Sequence, residues 1–199
     1  MDFVNGGELF FHMQKGRFRE NRVKFYVAEC VLALDYLHSK GVVYRDVKPE
    51  NILLDAEGHI KMTDFGLSKG NLQNSNHMTT SFCGTTEYLA PEIIKDRQYS
   101  YSVDWYSLGL VMYEMLTGTN PFKAKEETPI LKQMNLILTL QIKFPDTMSP
   151  LATDLCKKLL EKDVRISLSL NACCTAKKAN WMHLGGRGSD KKPPVVCRN

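Results

Sequence analysis

A mainly α-helical domain carrying one small β-hairpin is the fold class this sequence predicts, and three observations predict it. Two long stretches, 20–40 and 102–118, are apolar in the manner of helices, one in a stripe and one all round. Between them lie two short, partly alternating apolar runs, "NILLD" and "HIKMTDF", separated by Ala56, Glu57 and Gly58. Further on, Ser149-Pro150 reads as the opening of another helix.

Each element has its own justification. Residues 20–40 place Val23, Val27, Cys30, Val31, Leu34 and Leu37 on one face, and Gly41 stands where a helix stops. The two apolar runs pair as the hairpin. Residues 68–82 are rich in Asn, Ser and Thr and predict a mobile loop. "SVDWYSLGLVMYEMLTG" is apolar all round, so it predicts a deeply buried helix that ends at Gly118 before the turn "TNPF". After Ser149-Pro150, "LATDLCKKLLEK" sets Leu151, Leu155 and Leu159 on one face. The pattern changes after Asp163: no period persists to the C-terminus. The expected organisation is one domain over 1–163 and a divergent, basic, poorly ordered tail over 164–199.

Composition narrows the class. The 199 residues suffice for one medium domain with a core, and 43% hydrophobic with 24% charged content is ordinary for a soluble globular chain. No apolar run approaches the roughly 18 residues of a membrane span, and the N-terminus has no basic start followed by an apolar core. The six cysteines form no C-x-x-C pair, which predicts free thiols in a reducing compartment, cytoplasmic or nuclear, and no cysteine metal site. The net charge of +4 conceals a body of −2 and a tail of +6. Such a tail could touch nucleic acid or an acidic membrane surface, but a solvated tail is the plainer reading, and no nucleic-acid partner is expected.

The chemistry gathers at "VYRDVKPENILLD". Asp46 and Asn51 precede the first predicted strand, and Asp64 follows the second. A hairpin returns the chain, so Asp46, Lys48, Asn51 and Asp64 share one neighbourhood. Two carboxylates, an amide oxygen and a lysine suit Mg²⁺ with a phosphate. A carboxylate left off the metal can accept a proton from an attacking hydroxyl.

"YRDVKPEN", "DFG" at 64–66 and "APE" at 90–92, in that order and with "VDWYSLG" downstream, resemble the catalytic loop, magnesium loop and activation-segment end of eukaryotic protein kinases. "YRD", "SFCGTTEYLAPE" and "VNGGELFFHMQ" narrow the resemblance to the AGC group of serine/threonine kinases, similar to its Akt, SGK, ribosomal-S6-kinase and cyclic-AMP-dependent branches. The match runs from Met1 to about Asp163 and implies the large C-terminal lobe of that fold.

The resemblance implies ATP and Mg²⁺ as cofactors and protein substrates with Ser or Thr acceptors. Asp46 would orient the acceptor hydroxyl and take its proton, Lys48 would neutralise the transferred phosphoryl group, and Asn51 and Asp64 would hold Mg²⁺. Thr85 would hydrogen-bond Asp46 and Lys48. Asp2 and Val4 would offer backbone groups to adenine, with Glu8, Glu50, Leu53 and Thr63 also at the nucleotide. Ser81 matches the activation-loop site of an upstream kinase, with Arg45 and Lys69 as cationic partners of its phosphate. Glu8, Glu50 and Glu114 match acidic pockets that favour basic residues upstream of the acceptor. Asp104 would anchor the catalytic-loop backbone, while Trp105, Tyr44 and Phe65 belong to the core.

The resemblance starts at the inter-lobe hinge. No G-x-G-x-x-G and no V-A-I-K-like strand occurs, so the expectation is that the N-terminal β-lobe is absent and that this chain alone is inactive or very weak. "VRISLSLNACCTAKKANWM" reads as an insertion before "HLGGRGSD", which resembles a delayed "RLGG-x-SD". The arginine that pairs with the glutamate of "APE" has no clear counterpart, so Glu92 is expected to lack its partner, at a cost if it is buried. A second functional reading stays open: a catalytically dead kinase lobe that captures substrates or regulators as a binding module or decoy.

Overall fold

The computed structural model describes residues 4–70, 83–123, 125 and 127–162. Its chain order is α1 (Leu9–Met13), α2 (Glu20–Ser39), β1 (Ile52–Leu54), β2 (Ile60–Met62), α3 (Pro91–Ile94), α4 (Ser102–Thr117), α5 (Ile130–Thr139) and α6 (Pro150–Leu159). Short 3-10 turns cover Pro49–Asn51 and Thr86–Tyr88.

The apolar stripe of α2 is buried at all six expected positions, from Val23 to Leu37. The helix closes with paired bonds from Gly41 N to His38 O (2.9 Å) and Val42 N to Leu37 O (3.0 Å), and Gly41 takes the positive φ of 74° that this stop requires. The all-round apolar α4 packs against both α2 and α6, so its Leu108, Leu110, Val111 and Met112 are fully enclosed. Burying such side chains contributes about 1.5–3 kcal/mol each before chain entropy is counted.

The hairpin is antiparallel, with Ile52 opposite Met62, Leu53 opposite Lys61 and Leu54 opposite Ile60. Its turn needs no Asn-Gly pair, because the Asp55 carboxylate accepts from Glu57 N (3.0 Å) and His59 N (2.9 Å). Glu29 of α2 fastens β2 by accepting from Ile60 N at 2.8 Å and pairing with His59 at 2.5 Å. On the other edge of the hairpin, Glu8 forms an antiparallel bridge with Leu53.

Ser149 caps α6 by accepting from Ala152 N, and it also donates its hydroxyl to Glu20 at 2.6 Å, tying α6 to the start of α2. Lys162 donates to the carbonyls of Ile137 and Leu140, both at 2.7 Å, which satisfies the end of α5. Burial at that place lowers the pKa of Lys162.

Two expectations are corrected. Leu151 is 52% exposed, because the buried stripe of α6 runs through Ala152, Leu155, Cys156 and Leu159. The predicted loop 68–82 does not begin as a loop: Lys69 exchanges both backbone bonds with Val43, at 3.0 and 2.9 Å. Residues 71–82 lie outside the described part. Helices α1, α3 and α5 are additions that the sequence reading did not delineate. Among the described residues no helix is long and apolar enough to cross a membrane, and Cys30, Cys83 and Cys156 are free thiols. Burial pushes the Cys30 thiol up to about 12, so it is inert as a nucleophile.

Candidate active site

The segment between α2 and β1 carries the polar cluster, and α4 fixes its backbone. Asp104, in the first turn of α4, is fully buried. Its carboxylate accepts from Tyr44 N (2.9 Å) and Arg45 N (2.7 Å), and His38 lies against it at 2.7 Å. Arg45 sits at φ 71°, a conformation that costs a non-glycine residue about 1–2 kcal/mol. Two hydrogen bonds to one buried carboxylate hold that bend, and the bend sets the start of the next six residues.

Asp46 follows directly and is nearly enclosed, with 5% exposure. Its Oδ2 accepts from Asn51 Nδ2 at 2.7 Å and from Lys48 Nζ at 2.8 Å. Its Oδ1 accepts from the Thr85 hydroxyl at 3.2 Å, while Lys48 Nζ donates to Thr85 Oγ1 at 2.9 Å. Asp46, Lys48 and Thr85 therefore form a closed ring of contacts. Thr85 joins it from 39 residues away because the Thr86–Tyr88 turn packs on α4.

Asn51 Nδ2 also donates to Asp46 O at 3.0 Å. Both of these bonds come from the amide nitrogen, which turns the amide oxygen away from Asp46. The carbonyl of Asn51 accepts from Thr63 N at 3.0 Å, and Thr63 O accepts the Tyr44 hydroxyl. The hairpin thereby brings its two ends together. Asp64 comes next, exposed, at φ 57°, with Oδ1 accepting from Gly66 N at 3.1 Å. Phe65 meets the Tyr44 ring edge-on at 5.3 Å. Burial, reinforced by Asp46, Asp64 and Asp104, pushes the Tyr44 phenol far up, so it remains a neutral donor.

These residues suit one divalent cation held together with a phosphate. Among the described residues no three His, Cys, Asp or Glu side chains converge as a complete metal cage. An exposed carboxylate at Asp64 and the amide oxygen of Asn51 match the sparse, oxygen-only protein share that magnesium takes beside phosphate and water.

Of the acidic residues expected at a substrate groove, two lie together and Glu8 stands nearby. Glu114 accepts from the Tyr88 hydroxyl at 2.6 Å. Burial raises the Glu114 pKa, the Tyr88 bond opposes that, and Glu50 and Glu87 add to it. Glu50 Oε2 is buried with no hydrogen-bond partner among the described residues. Glu8 precedes α1, which packs on the Pro49–Asn51 turn containing Glu50. Leu53 pairs with both Lys61 and Glu8 on the two edges of β1.

Arg45 places its guanidinium on Leu67 O at 2.6 Å and the Tyr99 hydroxyl at 3.3 Å. Lys69 is fixed through its backbone to Val43. Ser81 and Asp2 lie outside the described residues, and Val4 is half-buried. Glu92 corrects its expectation in part. It is buried, yet it accepts from the Ser102 hydroxyl at 3.0 Å; among the described residues no cation lies within ion-pair distance. Tyr88, Tyr99 and His38 were missed as parts of this region. A lone tyrosine or histidine reads as core, and only the fold reveals that Tyr88 and His38 face the carboxylates of Glu114 and Asp104 while Tyr99 meets Arg45 and Cys83.

Comparison with known proteins gives the same lineage. The family described as Protein kinase domain matches residues 1–182. The human RAC-beta serine/threonine-protein kinase is 52% identical over 164 residues, 82% of this chain and 33% of that protein. Serine/threonine-protein kinase akt-2 of Caenorhabditis elegans is 53% identical over 163 residues, 81% of this chain and 30% of that protein. The RAC family homologue of Dictyostelium discoideum is 51% identical, with 82% and 36% covered. The chain thus spans about a third of the length of the curated relatives it matches. With the motif order, the closed ring at Asp46 and these identities together, the chain belongs to the protein kinase family, in its AGC group of serine/threonine kinases.

Proposed function

We propose that this chain is the catalytic-loop and substrate-binding part, the C-terminal lobe, of a kinase that moves the γ-phosphoryl group of ATP to Ser or Thr of protein substrates. The observation that carries this reading is the ring of Asp46, Lys48 and Thr85, joined by Asn51 to a hairpin whose far end presents Asp64. Asp46 accepts the acceptor proton as the new P–O bond forms and the bond to the β-phosphate oxygen breaks. Lys48, already poised beside Asp46, shields the charge between that carboxylate and the incoming phosphoryl oxygens. Asn51 and Asp64 would hold Mg²⁺, which supplies charge neutralisation at the phosphates. Val4, Glu8, Glu50, Leu53 and Thr63 would line the nucleotide side.

Glu50 and Glu114 beside Tyr88, with Glu87 close to Glu114, support substrates with basic residues upstream of the acceptor. The Glu50 oxygen, buried and without a hydrogen-bond partner among the described residues, is suited to accept from a guanidinium. An upstream kinase acting at Ser81 would deliver a phosphate toward Arg45.

The test is Mg²⁺-dependent binding of a fluorescent ATP analogue by the 199-residue chain, with γ-phosphoryl transfer to an Arg-containing peptide as a second readout. Weak binding that requires Mg²⁺ and disappears in Asp64→Asn is expected. Transfer by this chain alone is expected to stand close to that of Asp46→Asn. Binding that is indifferent to both Mg²⁺ and Asp64→Asn would overturn the reading. Capture of an Arg-rich peptide without nucleotide binding would favour the decoy reading instead.

A further inference from the structure

Gly6 and Gly7 stand side by side, and each is required for a different reason. Gly7 has φ 72°, with open space around it, so conformation alone calls for glycine. At Gly6 the reason is space. A Cβ there would lie 2.4 Å from Leu54 O, 2.8 Å from Leu54 C and 2.9 Å from Asp55 O. These are backbone atoms of β1 and its turn, which cannot swing aside as a side chain can.

The close approach is used for hydrogen bonding. Gly6 N donates to Leu54 O and Leu54 N donates to Gly7 O, both at 2.8 Å. Glu8 continues the contact as a bridge to Leu53. From α1, His12 Nε2 donates to Gly6 O at 2.7 Å. The two peptide groups flanking Gly6 are thereby held from both sides, by β1 and by α1. Through β1 the same clasp reaches Asn51 at one end of the hairpin and, across the strand pair, Thr63 and Asp64 at the other.

We propose that Gly6 and His12 are positioning residues for the nucleotide site. They lock the segment from Val4 to Glu8 at a set distance from Leu53, so the base-binding side and the magnesium side of the site move as one piece. This deepens the functional reading above and rests on it. An alanine at Gly6 would have to open the gap by about an ångström to reach ordinary contact, and misplacements of that size are costly in a site that works by positioning.

The test uses the 199-residue chain, amide hydrogen exchange of residues 52–56, thermal melting, and Mg²⁺-dependent titration with the fluorescent ATP analogue. Gly6→Ala is expected to speed exchange at Leu54 about tenfold and weaken the analogue about tenfold, while the melting temperature hardly moves. His12→Gln, which can still donate from its amide nitrogen, is expected to keep both properties; His12→Leu is expected to lose both. Unchanged exchange or unchanged affinity in Gly6→Ala overturns the proposal. So does a His12→Gln variant as impaired as His12→Leu, since packing would then explain the effect. If the unaltered chain binds no analogue, or binding survives Asp64→Asn, the nucleotide reading fails and takes the proposal with it. Exchange at Leu54 would then still report whether the clasp exists.

Discussion

Asp104 and Glu92 are two carboxylates buried in the same domain, and they are treated in opposite ways. Asp104 accepts from two backbone amides and lies against His38, so its lone pairs meet donors from two directions. Glu92 has the Ser102 hydroxyl and its own backbone amide, while the Tyr106 hydroxyl is buried nearby without a partner among the described residues. A buried charge stabilises only what is built around it. At Asp104 that construction is the backbone bend that presents Asp46. At Glu92, burial alone dominates and raises the carboxyl pKa above the ordinary 4.5.

The largest expected effect comes from breaking the well-partnered site. Asp104→Ala unpairs the buried Tyr44 amide and the partly buried Arg45 amide and frees the strained Arg45, at about 3–5 kcal/mol, read by urea unfolding. The same variant should lose the ring of contacts at Asp46. A milder break is Asp104→Asn, which keeps one acceptor oxygen and should cost about 1–3 kcal/mol. If the two variants prove equally harmful, a single acceptor oxygen is not enough, and the bend needs the intact carboxylate.

At the other site, Ser102→Ala removes the one hydroxyl that Glu92 has, and should cost about 1 kcal/mol. Glu92→Gln is the smallest change and carries the opposite sign. Because the folded-state pKa is raised, the folded chain holds a proton that the unfolded chain releases. Stability contributed by the protonated form is therefore present below 4.5 and is lost as pH rises through the folded value. Glu92→Gln removes that loss, so its melting temperature should exceed that of the unaltered chain at pH 7 and the two should converge near pH 4. A melting curve that shifts equally at both pH values would contradict the assignment.

Much of this was legible in the sequence because it rests on short-range patterns. The stripe of α2, its Gly41 stop, the all-round burial of α4 and the Ser149 cap all follow from spacing within a few residues. The motif order placed Asp46, Lys48, Asn51 and Asp64 in one region before any coordinates. Leu151 lies outside the buried stripe because leucines four apart on a short helix fit two adjacent stripes, and only packing on α4 selects between them. Helix α5 was passed over because its N-cap is a proline with no side-chain cap, and its end is completed by Lys162 from beyond α6.

The sequence by itself determined the family, the chemical types at the site and the long helices, because each is written in contiguous residues. Tertiary structure alone decided which partners those residues meet. His38 meeting Asp104, Tyr88 set between Glu50 and Glu114, and Gly6 pressed on Leu54 all join segments far apart in the chain. Such contacts leave no local pattern. Their geometry is set when α4 packs on α2 and α6 and α1 packs on β1, and the polar groups carried inward must find donors wherever the fold supplies them.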